Sequence, residues 1–181
     1  HERDIRRQSG AFVALRGDSG LRAQFLADVT ELIAGFEFDL AATVIDKMAL
    51  QARYPNPRSP YELSLLLTME HLALTLRDHG QLGKTVHVVA EARGAPEDNE
   101  LELVFRRIAD GQPPLHSNQR QLITEFDWKI MFCDKRSNSS GLQLADLIAR
   151  PVGLKHLKPD QPNRAYDVIA QKVRWWVKKF P

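Results

Sequence analysis

The sequence predicts an α/β domain, and three observations predict it. Short apolar segments with β-branched residues alternate with longer stretches in which apolar residues recur every three or four positions. Prolines and glycines fall at the boundaries between the two kinds of segment. With 181 residues, 43% of them hydrophobic and 27% charged, the chain is long enough for one domain with its own core.

Taken in order, an irregular Gly/Asp/Ser stretch precedes Leu21, Phe25, Leu26, Val29, Leu32 and Ile33, whose spacing predicts an amphipathic helix ending near Gly35. Residues 38–45 are short, apolar and β-branched at their end, the pattern of an interior strand. A proline-rich connector, 54–60, leads to the clearest helix start in the chain. There Ser59 stands as N-cap, Pro60 at the first helical position and Glu62 three residues after the cap, together a capping box. The helix should run to Asp78 and stop at Gly80. Its leucines, from Leu63 to Leu76, occupy most of the circumference, so it is expected to be central, with Glu70 and His71 at its boundary.

Residues 85–91 predict a strand with Val86, Val88 and Ala90 on one face and His87, Val89 and Glu91 on the other, ended by the turn Arg93-Gly94-Ala95-Pro96. A helix with Leu101, Val104, Phe105 and Ile108 on one face closes at Gly111 and is followed by a loop containing Pro113 and Pro114. Phe126, Trp128, Ile130 and Phe132 then alternate with Asp127, Lys129 and Met131, the best period-two pattern present. After the helix around Asp146, a last amphipathic helix is expected through Tyr166, Ile169, Ala170, Val173 and Val177, carrying Trp175-Trp176. Residues 1–181 are thus expected to form a single domain, with 160–181 as a C-terminal helical appendage whose aromatic face offers a homo-oligomer surface.

Composition excludes several classes. The net charge of +2 and a pI near 8.8 do not by themselves announce nucleic-acid binding, which must come from local patches. One cysteine, Cys133, cannot form an internal disulfide or a thiolate zinc site, and it reads as a packed residue in a reducing cytoplasm. No cleavable signal and no bilayer-spanning apolar run is visible, so no membrane role is expected; the chain opens on His1 and reads as starting inside a longer protein. There is no Gly-rich phosphate loop, no HExxH and no Gly-x-Ser-x-Gly.

Asp146 carries the most chemical information. Six of the seven other residues from Leu142 to Ala149 are apolar, and an aspartate in such a helix needs something to compensate its charge. Ser139, Gln143, Asp146 and Arg150 form one polar stripe at helical spacing, so the carboxylate either accepts hydrogen bonds from a neighbouring element or ligates a metal. Glu91, at the C-terminal end of a predicted strand, stands where side chains leave a sheet for a cleft. Two such acids about 4 Å apart would repel by roughly 4 kcal/mol at an effective dielectric of about 20, a sign that a hard divalent cation reverses. Asp98 is either a helix-start residue favoured by the helix dipole or a third acid. His1, with Arg3, Arg6 and Arg7, either binds phosphate or is solvated, and Trp175-Trp176 with Arg174, Lys178 and Lys179 either stacks on bases or packs as core beside a basic helix end.

The string Ser139-Ser140-Gly141-Leu142-Gln143-Leu144-Ala145-Asp146-Leu147, following a predicted strand, resembles the domain-of-unknown-function 3800 family, a mostly bacterial and phage group related to ribonuclease H-like and integrase-like nucleases. His1-Glu2-Arg3-Asp4-Ile5-Arg6 and Glu91-Ala92-Arg93-Gly94 resemble its His-x-x-x-Ile-Arg segment and its strand-end acid. The resemblance covers nearly the whole chain. It implies a ribonuclease H-like fold, a central five-stranded mixed sheet flanked by helices, with Asp146 and Glu91 as catalytic acids. It also implies Mg²⁺ or Mn²⁺ at Asp146 and Glu91 for phosphodiester hydrolysis of nucleic acid; Asp98 is the candidate third ligand, and His1, Arg6 and Gln143 are candidate substrate-positioning residues. The family opens with a strand ending in Asp-Glu-Ser-Gly that supplies a further metal-binding acid, and nothing in this chain matches it: either a longer chain carries that strand ahead of His1, or the protein lacks it, and in the second case it is expected to be inactive. The alternative is a non-catalytic nucleic-acid or protein-interaction module of a phage-defence or mobile-element system, in which Asp146 is structural.

Overall fold

The computed structural model describes residues 2–112, 120–174 and 177–181. In chain order these residues form α1 (Glu2–Arg7), a 3-10 helix (Gly10–Arg16), α2 (Ser19–Gly35), β1 (Thr43–Ile45), α3 (Lys47–Arg53), α4 (Pro60–Asp78) and β2 (Thr85–Glu91). There follow α5 (Ala95–Ala109), α6 (Arg120–Ile123), β3 (Asp127–Cys133), a short 3-10 turn, α7 (Ser140–Leu157), α8 (Arg164–Ile169), another 3-10 turn and β4 (Lys178–Phe180). The chain is mixed α/β, with helices dominating. It divides into two compact units, each discontinuous in sequence: His1–Leu40 with Ser140–Val173, and Ala41–Ser139 with Arg174–Pro181.

The first unit is helical. Asp18 starts α2 by accepting the Leu21 backbone N–H at 2.9 Å, an N-cap bond of the usual kind. Pro151 sits inside α7 without ending it, although proline removes a backbone donor there. Asn163 ties α7 to α8: its side-chain amide donates to the Pro151 carbonyl at 2.8 Å, and its Oδ1 accepts the Tyr166 N–H at 3.1 Å as the α8 N-cap. Leu15, Ile33, Ile148, Val152 and Ile169 are the buried side chains of this unit.

The second unit is built around α4. Leu66, Met69 and Ala73 on one side of α4 pack with Phe105 and Ile108 of α5, Ile123 of α6, Phe126, and Trp128 of β3 in one cluster, all buried. β2 and β3 pair in parallel from Thr85↔Asp127 to Glu91↔Cys133, and the inward residues Val86, Val88 and Ile130 lie against that cluster. Trp128 also satisfies its indole N–H on the Ile123 carbonyl at 2.8 Å, so its polar edge is not left unpaired inside. On another side of α4, Thr68 meets Thr43 of β1 at 3.1 Å, and β1 pairs in parallel with β4 from Thr43↔Lys178 to Ile45↔Phe180. Gly111 ends the segment after α5 at φ +62°, and a Cβ there would fall 2.8 Å from the Thr124 methyl, so only glycine fits.

Several expectations change. The strand expected over 38–45 is confined to Thr43–Ile45, with an isolated bridge between Leu40 and Val173; Asp39 interrupts the apolar run, and the Lys172 ammonium lies over the Phe38 ring. The helix at Pro60 begins as expected, but Ser59 makes no side-chain cap bond; proline at the first helical position sets the geometry by itself. The C-terminal helix is shorter than its pattern suggests: after α8 the chain turns at residues 170–172 and ends in β4. Trp175-Trp176 and the loop with Pro113 and Pro114 lie outside the described residues. In place of one five-stranded mixed sheet, the described residues carry two two-stranded parallel sheets.

Phe105, 1% exposed at the centre of the α4–α5–α6 cluster, is expected to be the costliest core truncation: Phe105→Ala should destabilise by about 3–5 kcal/mol, read from urea unfolding midpoints. A loss below about 1 kcal/mol would show that this cluster does not hold the second unit together.

Candidate functional site

Glu91 reaches its place because β2 ends there. Its register partner is Cys133, the last residue of β3, and the ladder closes one step later where the Ala92 N–H donates to the Cys133 carbonyl at 2.9 Å. The chain then turns through Gly94, at φ +122°, into α5. A carboxylate at the carboxyl end of a parallel strand, next to a helix start, is thereby left exposed at a sheet edge.

Asp98, in the first turn of α5, holds that turn. One of its oxygens accepts the Arg93 N–H at 2.9 Å and the other accepts the Gly94 N–H at 3.3 Å, so both backbone donors ahead of the helix are satisfied by one side chain. Glu91 and Asp98 line the same cleft, about 610 Å³, together with Glu62, Glu97 and Glu100. Arg93 is the one basic residue of the lining, and hydroxyls come from Ser59, Tyr61, Ser64 and Thr68. Five carboxylates against one guanidinium make this cleft strongly negative.

The remaining predicted site residues belong to the first unit. Asp146 is exposed on α7: Ala145, Asp146, Ala149 and Arg150 are all exposed, and the buried side of α7 is carried by Ile148 and Val152. Gln143 is half-buried on the same helix, and Arg6 is exposed on α1. His1 lies outside the described residues. Cys133, read as packed, is a half-buried free thiol at the end of β3. Among the described residues no three of His, Cys, Asp and Glu stand together as a set able to hold one metal ion.

A second polar constellation in the second unit was missed by sequence reasoning. Glu70 and His71, expected at a boundary, are buried at 6% and 5% exposure, and Lys178 of β4 donates to Glu70 at 2.8 Å. Burial first, and the Lys178 cation second, hold the His71 imidazole below the ordinary histidine value of 6.5. Nothing in the local sequence marks this group, because Lys178 is more than one hundred positions from Glu70 in the chain.

The comparisons with known proteins were negative. No protein-family model matches the chain, and neither a curated protein nor a solved structure is significantly similar to it.

Two outcomes follow from this geometry. Asp98→Ala removes the acceptor for two backbone donors and should cost about 1–2 kcal/mol of stability, measured by thermal unfolding; an unchanged midpoint would show the turn is held otherwise. For His71 the unfolded chain binds its proton near the ordinary value while the folded chain binds it only at lower pH. The contribution is therefore complete above about pH 6.5 and is lost as pH falls from there through the lowered folded value. Between pH 8 and pH 5 the native chain should lose more stability than His71→Gln, and equal losses would refute the assignment.

Proposed function

We propose that this chain hydrolyses phosphodiester bonds of nucleic acid with the help of Mg²⁺ or Mn²⁺, using Glu91 and Asp146 as its catalytic acids, in a ribonuclease H-like setting. The observation that carries the reading is Glu91: it leaves the carboxyl end of a parallel strand into an acidic cleft, as a metal-binding acid at a sheet edge does. The string from Ser139 to Leu147, with Asp146 exposed on α7, supports it from the family resemblance.

Magnesium asks for only one or two protein carboxylates and takes water and substrate phosphate oxygens for the rest of its shell. Such an ion supplies a hydroxide nucleophile near neutral pH and stabilises the leaving oxygen. Glu91 of the second unit and Asp146 of the first are the acids proposed to supply negative charge. Asp98 shapes the turn that presents Glu91 and is the third acid of the proposal. Gln143, Arg6 and His1 are proposed to position phosphate, the two cationic types by charge and Gln143 by hydrogen bonding. No helix among the described residues is long and apolar enough to cross a membrane, and a cytoplasmic home with a free Cys133 thiol belongs to the same proposal.

The second reading, a non-catalytic module that binds nucleic acid or protein, is favoured by one observation: Asp98 places both oxygens on backbone donors. Cleavage of single- and double-stranded DNA and RNA by the native chain, with Mg²⁺ and with Mn²⁺, separates the two. Glu91→Gln and Asp146→Asn should each lower the rate by about a hundredfold or more and weaken Mn²⁺ binding measured by titration. Cleavage by both variants at the native rate, or none by the native chain with either ion, would leave the second reading in its place.

A further inference from the structure

The first unit contains a cavity that the nuclease reading touches only at Arg6. It measures about 370 Å³, within the roughly 300–1,000 Å³ typical of small-molecule sites, and its wall is overwhelmingly apolar. Five elements contribute to it: α1, the following 3-10 helix, α2, α7 and α8. Its floor includes the buried side chains Leu15, Ile33 and Ile169. Val29, Leu147 and Val168, half-buried, continue the aliphatic wall.

The polar side chains in that wall are turned to their own backbone. Thr30 donates its hydroxyl to the Leu26 carbonyl at 2.7 Å, and Asn163 uses its amide on Pro151 and its oxygen on Tyr166. The part of a ligand lodged among these side chains therefore finds hydrocarbon and few groups to hydrogen-bond. Charge is arranged in the opposite sense. Arg6, Arg22, Arg150 and Arg164 all line the cavity, all are exposed, and no Asp, Glu or Lys is among the lining residues. An aliphatic floor under an exposed set of guanidiniums is complementary to one class of molecule, a hydrocarbon chain ending in an anion. Guanidinium matches a carboxylate in a two-bonded fork, and the chain gains by leaving water.

We infer that the first unit binds a single-chain aliphatic carboxylate, with its tail among Leu15, Val29, Ile33 and Ile169 and its head at Arg22 and Arg164. The site is independent of Glu91 and of the acidic cleft. Its ligand is a small amphiphile; an acidic amphipathic helix or a second copy of the chain seated on the same face is an outcome that would overturn it.

Calorimetric titration of the full chain with sodium decanoate should show saturable binding of one molecule per chain. Decanol and decyltrimethylammonium should bind roughly tenfold more weakly or worse, because they lack the anion. Arg22→Gln with Arg164→Gln should weaken decanoate by roughly tenfold and leave decanol unchanged. Val29→Trp, which fills the cavity, should abolish binding of both. Should Val29→Trp fail to fold, the paired arginine variant decides. Decanoate and decanol binding equally, uptake that never saturates, binding unchanged in the arginine pair, or self-association of the chain that decanoate does not compete away would each overturn the inference.

Discussion

Glu70 is a buried carboxylate, and the second unit is arranged so that it has a cation. A charge at 6% exposure is tolerable only when paired and hydrogen-bonded, and the ammonium at 2.8 Å comes from Lys178, in the last strand of the chain. The pair thus fastens β4 to α4 after the chain has left this unit at Ser139 and returned at Arg174. Lys178 is about one-third exposed, so the attraction is partly screened and much of its importance is negative: any alternative placement of the last strand leaves Glu70 buried without its partner. The same lysine pairs by backbone register with Thr43, whose hydroxyl meets Thr68 on α4. A small polar seam on one side of α4 therefore specifies which strands lie there, while the apolar cluster on its other side supplies the bulk of the burial.

With α4 held in this way, the position of Glu91 follows from packing. Val86, Val88 and Ile130 lie against the cluster of Met69, Phe105 and Ile123, which fixes the phase of β2 and β3. Because side chains alternate along a strand, that phase puts His87, Val89 and Glu91 on the exposed face. The cleft beside Glu91 is then walled by the first turns of α4 and α5, which contribute Glu62, Glu97 and Asp98, acids that suit the positive ends of helices. Much of the negative charge in the cleft therefore has a helix-stabilising origin whatever chemistry the cleft performs.

What was legible in the sequence was whatever local periodicity and turn chemistry decide. α2, α4, β2, α5 and β3 stand where their patterns put them, since each has a repeat of two or of three to four and all but β3 a Gly or Pro boundary. β1 and β4, three residues each, and α3, two helical turns, carry too few positions for a period, and β4 hides behind an apparently helical run. The two-unit division was illegible, since each unit takes its residues from distant parts of the chain. At the site, Glu91 and Asp98 were identified from strand-end and helix-start logic and do line one cleft. The exposure of Asp146 went unread for a physical reason: two of the apolar neighbours that suggested burial, Ala145 and Ala149, are small enough to stand in solvent at little cost.

The near-zero net charge conceals an acidic cleft in one unit and an arginine-lined cavity in the other, and the first of these bears on how the proposed chemistry can work. The cleft at Glu91 has five carboxylates and one guanidinium, so a phosphodiester, itself an anion, is repelled there by several charges at once. Mutual repulsion of that kind cannot be offset by Arg93 alone; only a cation interposed between carboxylates and phosphate changes its sign. The arginines of the first unit line a mostly aliphatic cavity, whose wall suits the hydrocarbon with one anionic end inferred for it. In the proposed reading a phosphate would therefore meet this cleft favourably only with a metal ion between it and the carboxylates, which would make metal binding a precondition of the proposed hydrolysis.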